Sequence, residues 1–271
     1  MHNVLYYSIL EKQIIIGNKI YKNQKKIIKD YFSNISANYN FCRLPIGSCD
    51  FSQKSYSYSS KSDLSDFSIE KDKKFIISVV KQAQKENPNL KFLASPWSPP
   101  KFMKSNKMLV LGGKLLPKYK QTWAEYLVKY INEYKKENIN IDYITVQNEP
   151  NVIQVWESCL YTADEERDFV INYLYPTFKK NNIKTKILIW DHNKEKLFSR
   201  SIAELNSNDS LQAISGIAFH WYTGDHFENI DLTHKTFPSK LLIHTEGCTG
   251  YSSGPICHFG DGWKSVCLSL S

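Results

Sequence analysis

The chain has 271 residues, 42% hydrophobic and 23% charged, with a formal net charge of +8 at pH 7. One α/β barrel takes roughly 250 residues, so a single large core is expected, and no apolar run reaches the roughly 18 residues of a membrane span. The charge comes from 32 Lys against three Arg (Arg43, Arg167, Arg200), scattered in short pairs, whereas a nucleic-acid reader concentrates Arg on one face. Nucleic acid is therefore excluded as a partner, and the charge reads as a solvated surface with a weak attraction to anionic lipid.

Six cysteines (Cys42, Cys49, Cys159, Cys248, Cys257, Cys267) include no CxxC pair and form no dense framework, so neither a disulfide scaffold nor a metal site is expected, and no cofactor is implied. At the N-terminus, Glu11 and Lys12 split the one apolar stretch and no basic segment precedes it. No signal peptide is expected, and the compartment stays open.

In chain order, a helical pattern over residues 24–32 leads to an apolar strand at 39–46 and a polar loop at 47–71. A helix at 72–86, a strand at 90–95 and a loop at 98–117 follow. The helix predicted over 118–137 places Trp123, Tyr126, Leu127, Tyr130, Ile131 and Tyr134 on one face, which marks them as core. A strand at 141–147, a helix at 163–180 and strands at 185–190, 214–221 and 240–245 complete the series. Six strands with room for helices between them predict βαβ units and a parallel sheet. The long loops after strands are where such barrels carry specificity.

Two glutamates stand out. Glu149 follows the third of these strands in VQNEP (146–150), and Glu246 ends the last in HTEGCTGY (244–251). Both sit at strand C-terminal ends, where a parallel barrel builds its active site, and two carboxylates facing one pocket are the equipment for cleaving a glycosidic bond.

Four segments carry a resemblance to a known family: RLPIGSCD (43–50), LASPWSPP (93–100), VQNEP and HTEGCTGY. In that order they resemble glycoside hydrolase family 30, the glucosylceramidase-like retaining β-glycosidases of clan A, from about residue 22 to 254. The resemblance implies Glu149 as general acid/base, with its pKa raised by its surroundings, and Glu246 as nucleophile. It implies Asn148 on the sugar 2-hydroxyl, Arg43 on the nucleophile, Tyr222 beside it, and Asp50 and Trp97 on the sugar's hydroxyls and face. His220 and Asp191, at the ends of two further strands, are candidates for contact with the pocket.

The expected fold is thus an α/β, TIM (β/α)8-type barrel, incomplete because counterparts of the family's first and eighth strands and of its β-sandwich domain are not found. Residues 1–254 would form the partial barrel and 255–271 a non-homologous or aberrant tail. The expected activity is hydrolysis of a β-glucoside, glucosylceramide above all, with no cofactor or metal. A β-1,6-glucanase or other β-glycosidase of the family is the alternative, and an inactive fragment or a carbohydrate- or lipid-binding pseudoenzyme the rival class. Family members are often secreted or lysosomal. Expressed alone, a barrel with open edges is expected to aggregate and to have little activity.

Overall fold

A computed structural model describes residues 4–6 and 21–247. Its strands are β1 (Val4–Tyr6), β2 (Phe41–Ile46), β3 (Lys91–Pro96), β4 (Tyr143–Thr145), β5 (Lys186–Asn193), β6 (Gly216–His220) and β7 (Leu241–Glu246). Helices alternate with them: α1 (Tyr21–Phe32), α2 (residues 70–86), α3 (Lys120–Lys136), α4 (residues 163–180), α5 (Leu197–Glu204), α6 (Asn208–Ala213) and α7 (Phe227–Thr236). Both α2 and α4 contain a π-helical turn, Lys73–Ile77 and Val170–Leu174.

All neighbouring strands are parallel and follow chain order, which makes a curled, incomplete (β/α) barrel among the described residues. The six strands read from the sequence are present. A seventh, β1, pairs Val4–Tyr6 with residues 41–43 of β2 and also approaches β7, so the sheet curls its two edges toward each other. The places expected for an eighth strand, a β-sandwich and the 255–271 tail lie outside the described residues.

Side chains alternate across a strand, and here the alternation separates two cores. Outward residues such as Leu44, Phe92, Ile144, Ile187 and Ile217 pack under the helices together with Trp123, Tyr126, Tyr130 and Tyr134 of α3. Inward residues Phe41, Leu93, Leu188 and Ala218, with Tyr143 and Ile243 against them, form a separate apolar layer inside the barrel. Two residues further along, the inward positions turn polar: Arg43, Ser95, Thr145, His220 and Thr245, all buried. This polar layer is the floor of the site.

On the outer side, Asp72 of α2 accepts hydrogen bonds from Tyr56, Tyr58 and Tyr134, which satisfies three phenols that burial would otherwise strand. It ties the loop after β2 to α2 and α3. Cys42 and Cys159 are buried free thiols, and Cys49 is buried as well.

The β6–β7 pairing that carries Glu246 depends on close approach at Gly216. A Cβ there would lie 2.4 Å from the Leu241 carbonyl oxygen and 2.6 Å from the Leu241 Cβ. Gly216→Ala is therefore expected to cost about 1–3 kcal/mol through overpacking. Denaturant unfolding of the full-length protein checks this, and a variant as stable as its parent contradicts the register described here.

Candidate active site

Glu246 is the last residue of β7, and its Oε2 receives Arg43 Nη1 at 2.6 Å while its Oε1 accepts from the Tyr222 hydroxyl at 2.9 Å. Arg43 is almost wholly enclosed and spends its guanidinium on four partners. Besides Glu246 these are Asp191 Oδ2 at 2.6 Å, Asn148 Oδ1 at 2.8 Å and Ser95 Oγ at 3.1 Å. The Trp97 ring lies against the same guanidinium at 4.7 Å, so one face of that indole is already covered.

Glu149 arrives four residues beyond β4 in the left-handed conformation, φ +48°, with its amide donating to the Asp191 carbonyl at 3.0 Å. Its carboxylate accepts from Gln154 Nε2 at 3.1 Å and meets His220 Nδ1 at 3.3 Å. His220 Nε2 in turn lies 3.1 Å from Asp191 Oδ1 and 3.8 Å from Glu246 Oε2. One oxygen of Glu149, one nitrogen of His220 and one oxygen of Glu246 all fall within 4.8 Å of one another. The two carboxylates therefore face each other closely across His220.

Asp191 is the hub beneath them. It is fully buried and accepts from Arg43, Ser95, Thr145, Thr245 and His220. Burial alone raises its pKa, but the Arg43 charge and these donors outweigh that and hold it well below the usual carboxylate range. Arg43 holds its proton correspondingly more firmly: burial opposes this, and the Asp191 and Glu246 charges overcome it.

His220 behaves in the same way. Burial favours the neutral ring, yet the Glu246 charge and the hydrogen bonds to Asp191 and Glu149 raise its pKa to about 9. That cation corrects the expectation for Glu149. Burial pushes the Glu149 carboxyl up, but the hydrogen bond and charge of His220, with help from His192 and Gln154, leave it below its ordinary value. In the unliganded site the proton belongs to His220.

The sequence-derived residues Arg43, Asn148, Glu149, Tyr222 and Glu246 converge, and Trp97 joins them through Arg43. Asp50, on the loop after β2, remains open to solvent at the mouth. Its carboxyl takes a hydrogen bond from its own backbone amide, which lowers its pKa, but desolvation first and then repulsion from Glu246 and Glu149 raise it to about 7.

Sequence reasoning missed His192. Its Nε2 lies 3.9 Å from Glu149 Oε1, burial lowers its pKa to about 4, and its Nδ1 has no hydrogen-bond partner among the described residues. It also missed Gln154 and the hydroxyls of Ser95, Thr145 and Thr245. Their signal was a small hydroxyl residue at the end of an otherwise apolar strand. Among the described residues, Glu149, His220 and Glu246 are the group whose ligand atoms could share a cation. His220 would first have to surrender its proton, which three carboxylates oppose.

A parallel barrel with two close carboxylates at its C-terminal mouth is the arrangement that glycoside hydrolases use. The chain belongs to glycosyl hydrolase family 30, whose TIM-barrel domain matches residues 16–263. It is 36% identical over 245 residues to "Putative glucosylceramidase 1" of Caenorhabditis elegans, covering 84% of this chain and 46% of that one. Among solved structures it is similar to SrfJ from Salmonella typhimurium, with TM-score 0.89, 33% identity, and coverage of 99% of this chain and 60% of that one. An endo-β1,6-glucanase follows with TM-score 0.81 at 27% identity, covering 89% of this chain and 56% of the other. The chain spans somewhat under half the length of the curated relatives it matches.

The His220 cation gives a stability signature. Its folded pKa of about 9 exceeds the ordinary histidine value of 6.5, so its contribution is fully present below pH 6.5 and is lost as pH rises through about 9. Thermal unfolding of the full-length protein from about pH 6 to 10 should show this fall, and His220→Gln should remove that component. An unchanged pH slope in the variant contradicts the protonated ring.

Proposed function

We propose that this chain is the catalytic part of a retaining β-glycosidase, with Glu246 as nucleophile and Glu149 as acid/base, acting on a β-glucoside whose leaving group is a lipid, as in glucosylceramide. The observation that carries the mechanism is the closeness of the two carboxylates, whose nearest oxygens lie within 4.8 Å. Retaining enzymes hold their carboxyl groups about 5–5.5 Å apart, whereas inverting enzymes need about 6.5–9.5 Å for a water between them.

Glu246 attacks the anomeric carbon as the ionised carboxylate that Arg43 and Tyr222 hold in place. The proton on His220 Nδ1 passes to Glu149 Oε1 as the leaving-group bond breaks, and Glu149 protonates the glycosidic oxygen. Once Glu246 is an ester its charge is gone, which removes the main influence holding a proton on His220. In the second half, Glu149 takes a proton from water, the water attacks the anomeric carbon, Glu246 departs, and the proton returns to His220. Asn148, whose Oδ1 accepts from Arg43, takes the sugar 2-hydroxyl in this reading, and Asp50 a hydroxyl nearer the mouth.

Support for a lipid leaving group comes from the loops beside Glu149. Gln154 binds the Glu149 carboxylate with its side chain, and its carbonyl accepts from Leu111, which joins the loops after β3 and β4. These loops expose Met108, Leu111, Ile153 and Val155, with Val155 76% exposed. The acid/base faces the departing group, so this apolar cluster lies on the leaving-group side, where a lipid would cover it. The similarity to an endo-β1,6-glucanase favours a second reading, in which a further glucose unit leaves.

The full-length protein should release the β-anomer first, read by NMR, and an initially inverted product contradicts both roles. Glu246→Ala should lose about 10³-fold or more in rate, and Glu149→Ala should spare substrates with activated leaving groups. The double change Ile153→Ser, Val155→Ser should lower kcat/KM about 10-fold or more on glucosylceramide in vesicles and leave a soluble aryl β-glucoside unaffected. Equal effects on both substrates, or turnover of β-1,6-gluco-oligosaccharides alone, contradict the lipid reading.

A further inference from the structure

Asp191 reaches the barrel interior only because β5 breaks its own alternation. Leu188 faces inward, so the next inward position along a regular strand is Trp190. Instead Trp190 has φ +73° and Asp191 φ +45°, the pairing with β6 slips between Trp190 and His192, and Trp190 joins the outer core. The bulge exchanges an indole for a carboxylate at the centre of the site.

Two consecutive left-handed residues with large side chains cost on the order of 1–3 kcal/mol each and persist only where surroundings hold them. The anchor is Glu166. The Trp190 amide donates to Glu166 Oε1 at 3.0 Å, and the Trp190 indole donates to the Asn193 carbonyl at 3.0 Å beneath the Arg200 guanidinium. Glu166 sits in the first turn of α4, which the reciprocal bonds of Thr162 and Glu165 fix.

A counter-ion role accounts for only one oxygen of Glu166. Arg200 pairs with it and also with Glu204, at 2.7 Å, and both glutamates are fully buried. Burial and then the Glu166 charge push the Glu204 carboxyl well up, so Glu166 meets Arg200 through its Oε2 while its Oε1 is spent on the Trp190 amide.

We propose that Glu166 is a positioning residue for both catalytic carboxylates: its Oε1 holds the Trp190 amide and so the β5 bulge, from which Asp191 orients Glu246 through Arg43 and Glu149 through its own carbonyl. This rests on the roles given to Glu149 and Glu246 above. It concerns a group outside the pocket, which touches neither substrate nor reacting atoms.

The test uses the full-length protein with Glu166→Ala, Glu166→Leu, Glu166→Gln and Glu204→Gln. Turnover of an aryl β-glucoside is measured per folded site, counted by covalent trapping with a 2-deoxy-2-fluoroglucoside. Ala and Leu, which lack the acceptor, should lower kcat on the order of 10- to 100-fold with little change in KM, since displacements of about 1 Å have such effects. Gln keeps an acceptor oxygen and leaves Arg200 to Glu204, so it should restore kcat, and Glu204→Gln should match the parent. A purely structural role predicts fewer folded sites with normal kcat per site, and that result overturns the proposal. So does a Gln variant as impaired as Ala, which also decides the matter if Ala and Leu fail to fold. Should the parent show neither turnover nor trapping, the glycosidase reading fails, and the crystal structure of Glu166→Leu still judges the bulge. An Asp191–Arg43 contact opened beyond about 3.5 Å supports it and an unchanged one refutes it.

Discussion

The buried pair of Arg43 and Asp191 is the constraint on which the site depends. Neither side chain reaches solvent, and taking two such ions out of water costs several kcal/mol each before any attraction returns it. The barrel meets that cost with hydrogen bonds from nearly every strand around the axis. Ser95, Thr145, Thr245 and His220 all donate to Asp191, and Asn148 and Glu246 accept from Arg43. A pair so fully satisfied is rigid, and it fixes the plane of the guanidinium that holds Glu246. Removing one partner leaves an uncompensated charge worth about 3–5 kcal/mol, so stability and the placement of Glu246 share this contact.

Above the pair, the charges leave one mobile proton. Arg43 and Asp191 offset each other, and Glu149, Glu246 and His220 remain to compete. The ring wins in the free site because three carboxylates surround it, which is why Glu149 has a lowered rather than raised pKa. The geometry is compatible with the acid role proposed for Glu149: the proton is one hydrogen bond away from it, and the charge that detains the proton is on Glu246, which the proposed first step would consume.

Much of this was legible in the sequence. The six strands were marked by apolar β-branched runs, and Glu149 and Glu246 by their places at strand ends. Arg43, Asn148, Tyr222, Trp97 and Asp50 came from short motifs shared with a family. What stayed hidden was whatever depended on departures from regular strand geometry. Strict alternation puts Trp190 inside and Asp191 outside, and only the bulge reverses them. Of His220 only its place at a strand end beside the pocket was legible, and its role follows from three carboxylates brought from β4, β5 and β7. β1 was passed over because three residues leave no period to read.

The same departures show where the molecule stores strain. Glu149, Trp190 and Asp191 are all left-handed non-glycine residues, and they meet at the hydrogen bond from the Glu149 amide to the Asp191 carbonyl. Each conformation is uphill for the isolated chain, and each turns a side chain or carbonyl toward the barrel mouth that a regular strand would send elsewhere. Glycine would ease the backbone at any of the three, but it would remove a catalytic carboxylate, the hub, or the indole that locks the bulge into the outer core. The strain therefore stays where the side chains are needed, and the surrounding groups must over-determine it. Glu166 beneath the bulge, Gln154 beside Glu149 and Arg43 above Asp191 act on it from three directions. A site held that way depends more on its supports than on its own backbone preference, which makes the buried acceptors around it as consequential as the two glutamates they orient.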